Sequence, residues 1–166
     1  MVKYIDCDGV ILDTESGLFD EYHELKKLNP ELKKRQYLHD KDWEYWIWQA
    51  GVIGDAINIL KNYDPNGVEI LTRVHSLQEA RAKLNFFRNN GVRNNVIIVP
   101  DGYNKSGVVD AFNNVLVEDS NSNLDDWDSQ HGIPIYFGTG ESIYPKVTSL
   151  DTVLSDEKFK SLVKKF

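Results

Sequence analysis

Five short apolar runs recur along the chain, each bounded by turn-forming or polar residues. They are VKYI at 2–5, VEIL at 68–71, VIIVP at 96–100, VLVED at 115–119 and IPIYF at 133–137. Continuous apolar runs of this length, as opposed to alternating ones, mark strands covered on both faces of a parallel sheet. Parallel neighbours need crossovers, and helical patterns fill the intervals between the runs. In SLQEARAKLNFFRNNG, Ser76 and Glu79 have capping-box spacing, Leu77, Ala80, Leu84 and Phe87 share one face, and Gly91 is placed to stop the helix. A shorter helix is expected over 122–131, with Leu124 and Trp127 inward and Gly132 at its end, and Ser155 begins a closing helix. The expected fold class is α/β, a parallel sheet with helices on both faces.

The interval 14–64 is too long for one crossover. It carries a helical pattern at 15–28 (Leu18, Tyr22, Leu25) stopped by Asn29-Pro30, and a second after Asp40 with Trp43, Trp46, Ile47 and Ala50 on one face. A third lies near 55–63, with Ile57 and Leu60. The expected organisation is a core of 1–13 and 65–166 with a small helical insertion, 14–64, over the strand ends.

The first apolar run ends in two acids one residue apart, Asp6 and Asp8. Carboxylates this close repel each other unless a cation or a proton settles them. In open α/β sheets, ligands bind beyond the carboxyl ends of the strands. The other runs bring Thr72, Glu118 and Asp119 to that edge, and the loop DGYNKSG after the third run brings Lys105. Acids, a hydroxyl and one lysine suit a magnesium ion and a phosphate. The formal net charge of −7 argues against polymeric nucleic acid as a partner, which needs a basic surface. The lone Cys7 rules out an internal disulfide and points to a reducing, cytoplasmic location. No run reaches membrane-spanning length, and too few apolar residues precede Asp6 for a signal peptide. Cys7 points away from the flanking acids by strand alternation and belongs to the core. His23, His39, His75 and His131 lack metal-ligand spacing.

These residues, in this order, resemble the four motifs of the haloacid dehalogenase (HAD) superfamily. DCDGVILDT is similar to the first, Thr72 to the second, Lys105 to the third and VLVEDSNSN to the fourth. The stretches EDSNSNLDDWDSQHGIPIYF and PKVTSLDTVLS are similar to the 5'(3')-deoxyribonucleotidase type within it. The resemblance implies a Rossmann-like sheet in the order 5-4-1-2-3 with a small helical cap inserted after strand 1. It implies a Mg²⁺-dependent phosphatase that hydrolyses small phosphomonoesters through an aspartyl-phosphate, with nucleoside monophosphates as the expected substrates. The alternatives are a phosphatase for a sugar phosphate or other metabolite, and a non-catalytic nucleotide-binding protein of the same fold.

On this reading Asp6 attacks phosphorus. Asp8 protonates the leaving alkoxide and then takes a proton from the hydrolytic water, its pKa raised by the neighbouring carboxylates. Mg²⁺ is held by Asp6, the main-chain carbonyl of Asp8, and Asp119, while Glu118 binds either the ion or a water on it. Thr72 and main-chain amides near Gly9 and Arg73 hold the phosphoryl oxygens, and Lys105 steadies Asp6 and the phosphate charge. Tyr45 and Trp48, off the buried face of DWEYWIWQAG, are the rings expected to stack on a nucleobase.

Overall fold

The computed structural model describes residues 1–164. β1 (Lys3–Ile5) is followed by four helices, α1 (Leu18–Leu28), α2 (Lys34–Asp40), α3 (Trp43–Gln49) and α4 (Ala56–Asn62). Then come β2 (Val68–Val74), α5 (Leu77–Asn89), β3 (Val96–Pro100), a 3₁₀ turn (Lys105–Gly107) and β4 (Val115–Glu118). α6 (Asn121–Ser129), β5 (Ile133–Phe137), β6 (Lys146–Val147), α7 (Leu150–Leu154) and α8 (Asp156–Val163) complete the described chain.

All strand pairs are parallel, and the sheet runs β3-β2-β1-β4-β5-β6. The expected five-strand order therefore differs from the observed sheet by a sixth strand lying outside β5. That strand is two residues long with one buried side chain, Val147, which is too little apolar sequence to read as a run. The central strands are covered on both sides, as their composition requires. Ile5, Ile70, Val117 and Ile135 pack with Ala82 and Phe87 of α5 and Phe159 of α8, while Tyr4, Leu71 and Leu116 pack with Leu124 and Trp127 of α6. Gly132 ends α6 tightly, since a Cβ there would stand 2.2 Å from the indole of Trp127.

The helices between β1 and β2 are tied down through their aromatic residues. Trp43 Nε1 donates to the Leu38 carbonyl at 2.7 Å, and Trp46 Nε1 donates to the Thr14 carbonyl at 2.7 Å. α2 has no counterpart in the sequence reading. Its cap residue, Lys33, offers no side-chain hydrogen bond, and only Tyr37 and Leu38 among its seven residues are buried. Among the described residues no helix is long and apolar enough to cross a membrane.

The buried face of α5 also departs from expectation. Leu77 is 90% exposed and Leu84 is exposed, while Glu79, Ala82, Lys83 and Phe87 face inward. Two charged residues occupy positions that an apolar pattern assigns to hydrophobes, and both are held by partners at the carboxyl edge of the sheet.

Candidate active site

Register places the strand-tip residues together. Ile5 of β1 lies opposite Ile70 of β2 and Val117 of β4, so Asp6 emerges beside Glu118, with its amide donating to the Val117 carbonyl at 3.0 Å. Lys105, delivered by the 3₁₀ turn after β3, is buried between two acids. Its ammonium donates to Asp6 Oδ1 at 2.7 Å and to Glu118 Oε2 at 2.6 Å. One carboxylate oxygen from each of Asp6, Glu118 and Asp119 lies within 4.8 Å of the others. Gly9 has a left-handed φ of +74°, and a Cβ there would stand 1.9 Å from Asp119 Oδ2. Glycine is required on both counts: the conformation is strained for other residues, and the carboxylate of Asp119 occupies the space.

Burial raises the Asp6 carboxyl to about 8, with Glu118 adding to the effect and Lys105 opposing it. Burial likewise pushes Asp119 up to about 6 and raises Glu118. Three carboxyls that resist ionisation together define a place of strongly negative potential, and a cation there reverses the effect. The donor set is all oxygen, without cysteine or histidine, which suits Mg²⁺ and fits the residues present. Glu118 has Oε2 on Lys105, and its Oε1 accepts from the Ser120 amide at 3.2 Å.

Asp8 departs from the expectation of a raised pKa. Burial pushes its carboxyl up, but the Lys83 ammonium and hydrogen bonds from Lys83 and Thr14 outweigh burial and hold it below the ordinary carboxylate value. Lys83 Nζ donates to Asp8 Oδ2 at 2.6 Å, and Thr14 Oγ1 donates to Asp8 Oδ1 at 2.6 Å. Thr72 is fully buried one strand away, and its hydroxyl oxygen accepts from Lys83 at 3.0 Å.

A cavity of about 390 Å³ opens above Asp6 and Asp8. Lys105, Glu118, Asp119, Arg73 and His75 line its lower part, and Glu15, Leu18, Phe19, Lys34 and Leu38 form the upper wall. Arg73 donates from Nη2 to the Tyr103 carbonyl at 3.1 Å, while its buried Nε has no hydrogen-bond partner among the described residues. The Lys34 ammonium stands 4.1 Å from the centre of the Phe19 ring. His75 accepts no substrate role from its position alone: its Nδ1 meets Glu79 Oε2 at 3.0 Å and its ring stacks on Trp43. Cys7 lies wholly in the core, as expected.

Two expected substrate contacts are not in this cavity. Tyr45 and Trp48 are 54% and 79% exposed and stack on each other with ring centres 6.0 Å apart, away from the cavity wall. The helix turns them outward because Trp43 and Ile47 take the buried face. Replacing Trp48 with Ala is expected to change Tm by no more than about 2 °C, as for an exposed site worth within about 0.5 kcal/mol. Thermal melting of the variant beside the parent checks it. The Gly9 amide is also engaged, donating to the Leu12 carbonyl at 2.9 Å, so it is not free for a phosphoryl oxygen.

The residues that sequence reasoning missed are Lys83, Glu79, Thr14, Phe19 and Lys34. A signal existed for two of them: Glu79, Lys83 and Phe87 stand at successive four-residue steps, so the buried face could be followed through a charged pair.

No protein-family model matches the chain, and no curated protein matches it. Solved structures do. A HAD hydrolase of family IA, variant 3, from Entamoeba histolytica superposes with a TM-score of 0.65 at 12% identity, over 98% of this chain and 99% of that one. A HAD-superfamily hydrolase from Ehrlichia chaffeensis superposes at 0.57 and 12% identity, over 98% and 97%. A beta-phosphoglucomutase from Clostridium difficile superposes at 0.54 and 14% identity, over 99% and 97%. Likeness at this level of identity shows a HAD-type α/β fold over nearly all of the described residues.

Proposed function

We propose that the protein is a Mg²⁺-dependent phosphatase that hydrolyses small phosphomonoesters through an aspartyl-phosphate on Asp6. The observation that carries this reading is the buried cluster at the strand tips. Asp6, Glu118 and Asp119 can share one ion, and Lys105 bridges Asp6 and Glu118. In this reading residues 14–64 act as a cap over a core formed by 1–13 and the chain from 65 onward. The ion, bound by Asp6 and Asp119 with the Asp8 carbonyl, would neutralise phosphate charge against the attacking carboxylate.

The chain's own residues supply the rest. Lys105 holds Asp6 Oδ1, leaving Oδ2 to bond phosphorus. Arg73, which lines the cavity, offers its guanidinium to the phosphoryl oxygens, whereas Thr72 is fully buried and is not among the lining residues. Asp8, kept as a carboxylate, takes the proton of the water that hydrolyses the intermediate. Protonation of a leaving alkoxide, which the sequence assigns to the same group, has no donor on Asp8 in this arrangement, because Lys83 and Thr14 favour the ionised form.

The leaving group would lie against Leu18, Phe19 and Leu38, beneath Lys34. Neither ring expected to stack on a nucleobase, Tyr45 or Trp48, lines the cavity; Phe19 does, and one of its faces is already beneath an ammonium. The reading therefore stands at the level of small phosphomonoesters. A panel of aryl, sugar and nucleoside phosphates, assayed for released phosphate with Mg²⁺ and with EDTA, tests it. The expected result is release that needs the metal and is fastest for the aryl ester, whose leaving group requires no proton. Absence of release from every ester would refute the proposal.

A further inference from the structure

Lys83 lies behind the cavity, where its ammonium holds Asp8 in the ionised form. Its side chain is fully buried, and its ammonium meets four oxygens from three parts of the chain. They are Asp8 Oδ2 at 2.6 Å, Glu79 Oε1 at 2.8 Å, the Arg73 carbonyl at 2.9 Å and Thr72 Oγ1 at 3.0 Å. Burying a charge costs several kcal/mol even when paired, and an apolar side chain of similar volume would suit the inward face of α5 better if packing were the only demand. The contact set says what the charge does there.

An ammonium only donates. With a Lys83 proton on Thr72 Oγ1, the threonine hydroxyl proton must turn away from Lys83. That proton turns to Asp8 Oδ2 at 3.5 Å or the Arg73 carbonyl at 3.4 Å, which ties Thr72 to the same cluster. The Asp8 carboxylate is meanwhile clamped at both ends, Oδ1 by Thr14 and Oδ2 by Lys83. Glu79 balances the charge and is itself anchored, with Oε2 accepting from the His75 amide at 2.7 Å.

We infer that Lys83 is a positioning residue: with Thr14 it locks the Asp8 carboxylate, which lines the cavity, into one orientation. The inference rests on the phosphatase reading of this cavity. Its test uses p-nitrophenyl phosphate with Mg²⁺ on the parent protein, on Lys83→Met, and on the double variant Glu79→Gln/Lys83→Met. Removing Lys83 alone strands Glu79 in the core and lowers Tm, whereas removing both charges leaves only Asp8, which is partly exposed and keeps Thr14, without its ionic partner.

The expected result is a kcat about 10²-fold below the parent in both variants, the scale of a misplacement of about 1 Å, with KM within threefold. Tm should recover in the double variant while kcat does not. A double variant that turns over within threefold of the parent would overturn the inference and leave the phosphatase reading intact. A change confined to KM would overturn it as well, by making Lys83 a binding group. A parent that releases no phosphate would instead remove the reading on which the inference stands.

Discussion

Asp6→Asn is expected to lower phosphate release by about 10⁴-fold or more, the scale seen when an enzyme loses its nucleophile. The same change should leave the metal-free fold about as stable as the parent below pH 3.8 and increasingly more stable than it as pH rises from there to about 8. The amide has nearly the shape of the carboxylic acid but cannot displace an alkoxide from phosphorus. The stability half follows from the electrostatics. With its carboxyl raised from 3.8 to about 8, Asp6 keeps a proton in the folded chain that the unfolded chain gives up. Between those values the native state binds more protons, so stability falls as pH rises through the window. Asn removes the Asp6 share of that slope and leaves those of Asp119 and Glu118, whose carboxyls burial also raises. Asp8 does not confuse the measurement, because its depressed carboxyl contributes stability already present above the ordinary carboxylate value and lost only as pH falls through its lower folded value. Thermal melts in EDTA across this window, run beside a phosphate-release assay, check both halves. Appreciable turnover in Asp6→Asn would remove the nucleophile assignment.

The second large effect is on stability in the presence of metal. At 100 times its dissociation constant a ligand stabilises the native state by about 2.7 kcal/mol. For a chain of this size that is about 5–10 °C in Tm. Mg²⁺ should produce a shift of this order near neutral pH. The shift should shrink toward pH 5, because the Asp6 and Asp119 carboxyls, raised to about 8 and about 6, must release protons before they can bind the ion. Asp119→Asn should abolish most of it, and Trp48→Ala should leave it unchanged. Differential scanning calorimetry with and without Mg²⁺ at two pH values reads the effect without reference to turnover. A shift independent of pH, or one that survives in Asp119→Asn, would mean that the cation binds elsewhere.

Much of this architecture was legible because both its parts follow from short-range rules. Strands covered on two faces must be apolar throughout, so β1 to β5 stood out, and the polar residues that end such runs are the ones a parallel sheet gathers at one edge. Asp6, Lys105, Glu118 and Asp119 could be placed on that logic alone, and the coordinates bring them together, while Thr72 lies buried against Asp8 and Lys83. What stayed hidden depended on partners distant in sequence. Lys83 and Glu79 look like a solvated i,i+4 pair until Asp8 and Thr72, 75 and 11 residues from Lys83, close around the ammonium. β6 and α2 carry too little apolar sequence to signal themselves. Which aromatic ring faces the cavity depends on how α1 and α2 enter the wall, so the sequence pattern pointed to Tyr45 and Trp48 of α3 and gave no sign of Phe19.

The most direct measurement is chemical trapping of the intermediate. The protein is mixed with an aryl phosphate and Mg²⁺, quenched in acid within the first turnover, reduced with borohydride and mapped by peptide mass spectrometry. A phosphoryl group on the Asp6 carboxylate makes that carbonyl reducible, so homoserine at position 6, absent without substrate and absent in Asp6→Asn, is the predicted result. Phosphate release with an unaltered Asp6, or homoserine at position 8, would contradict the account.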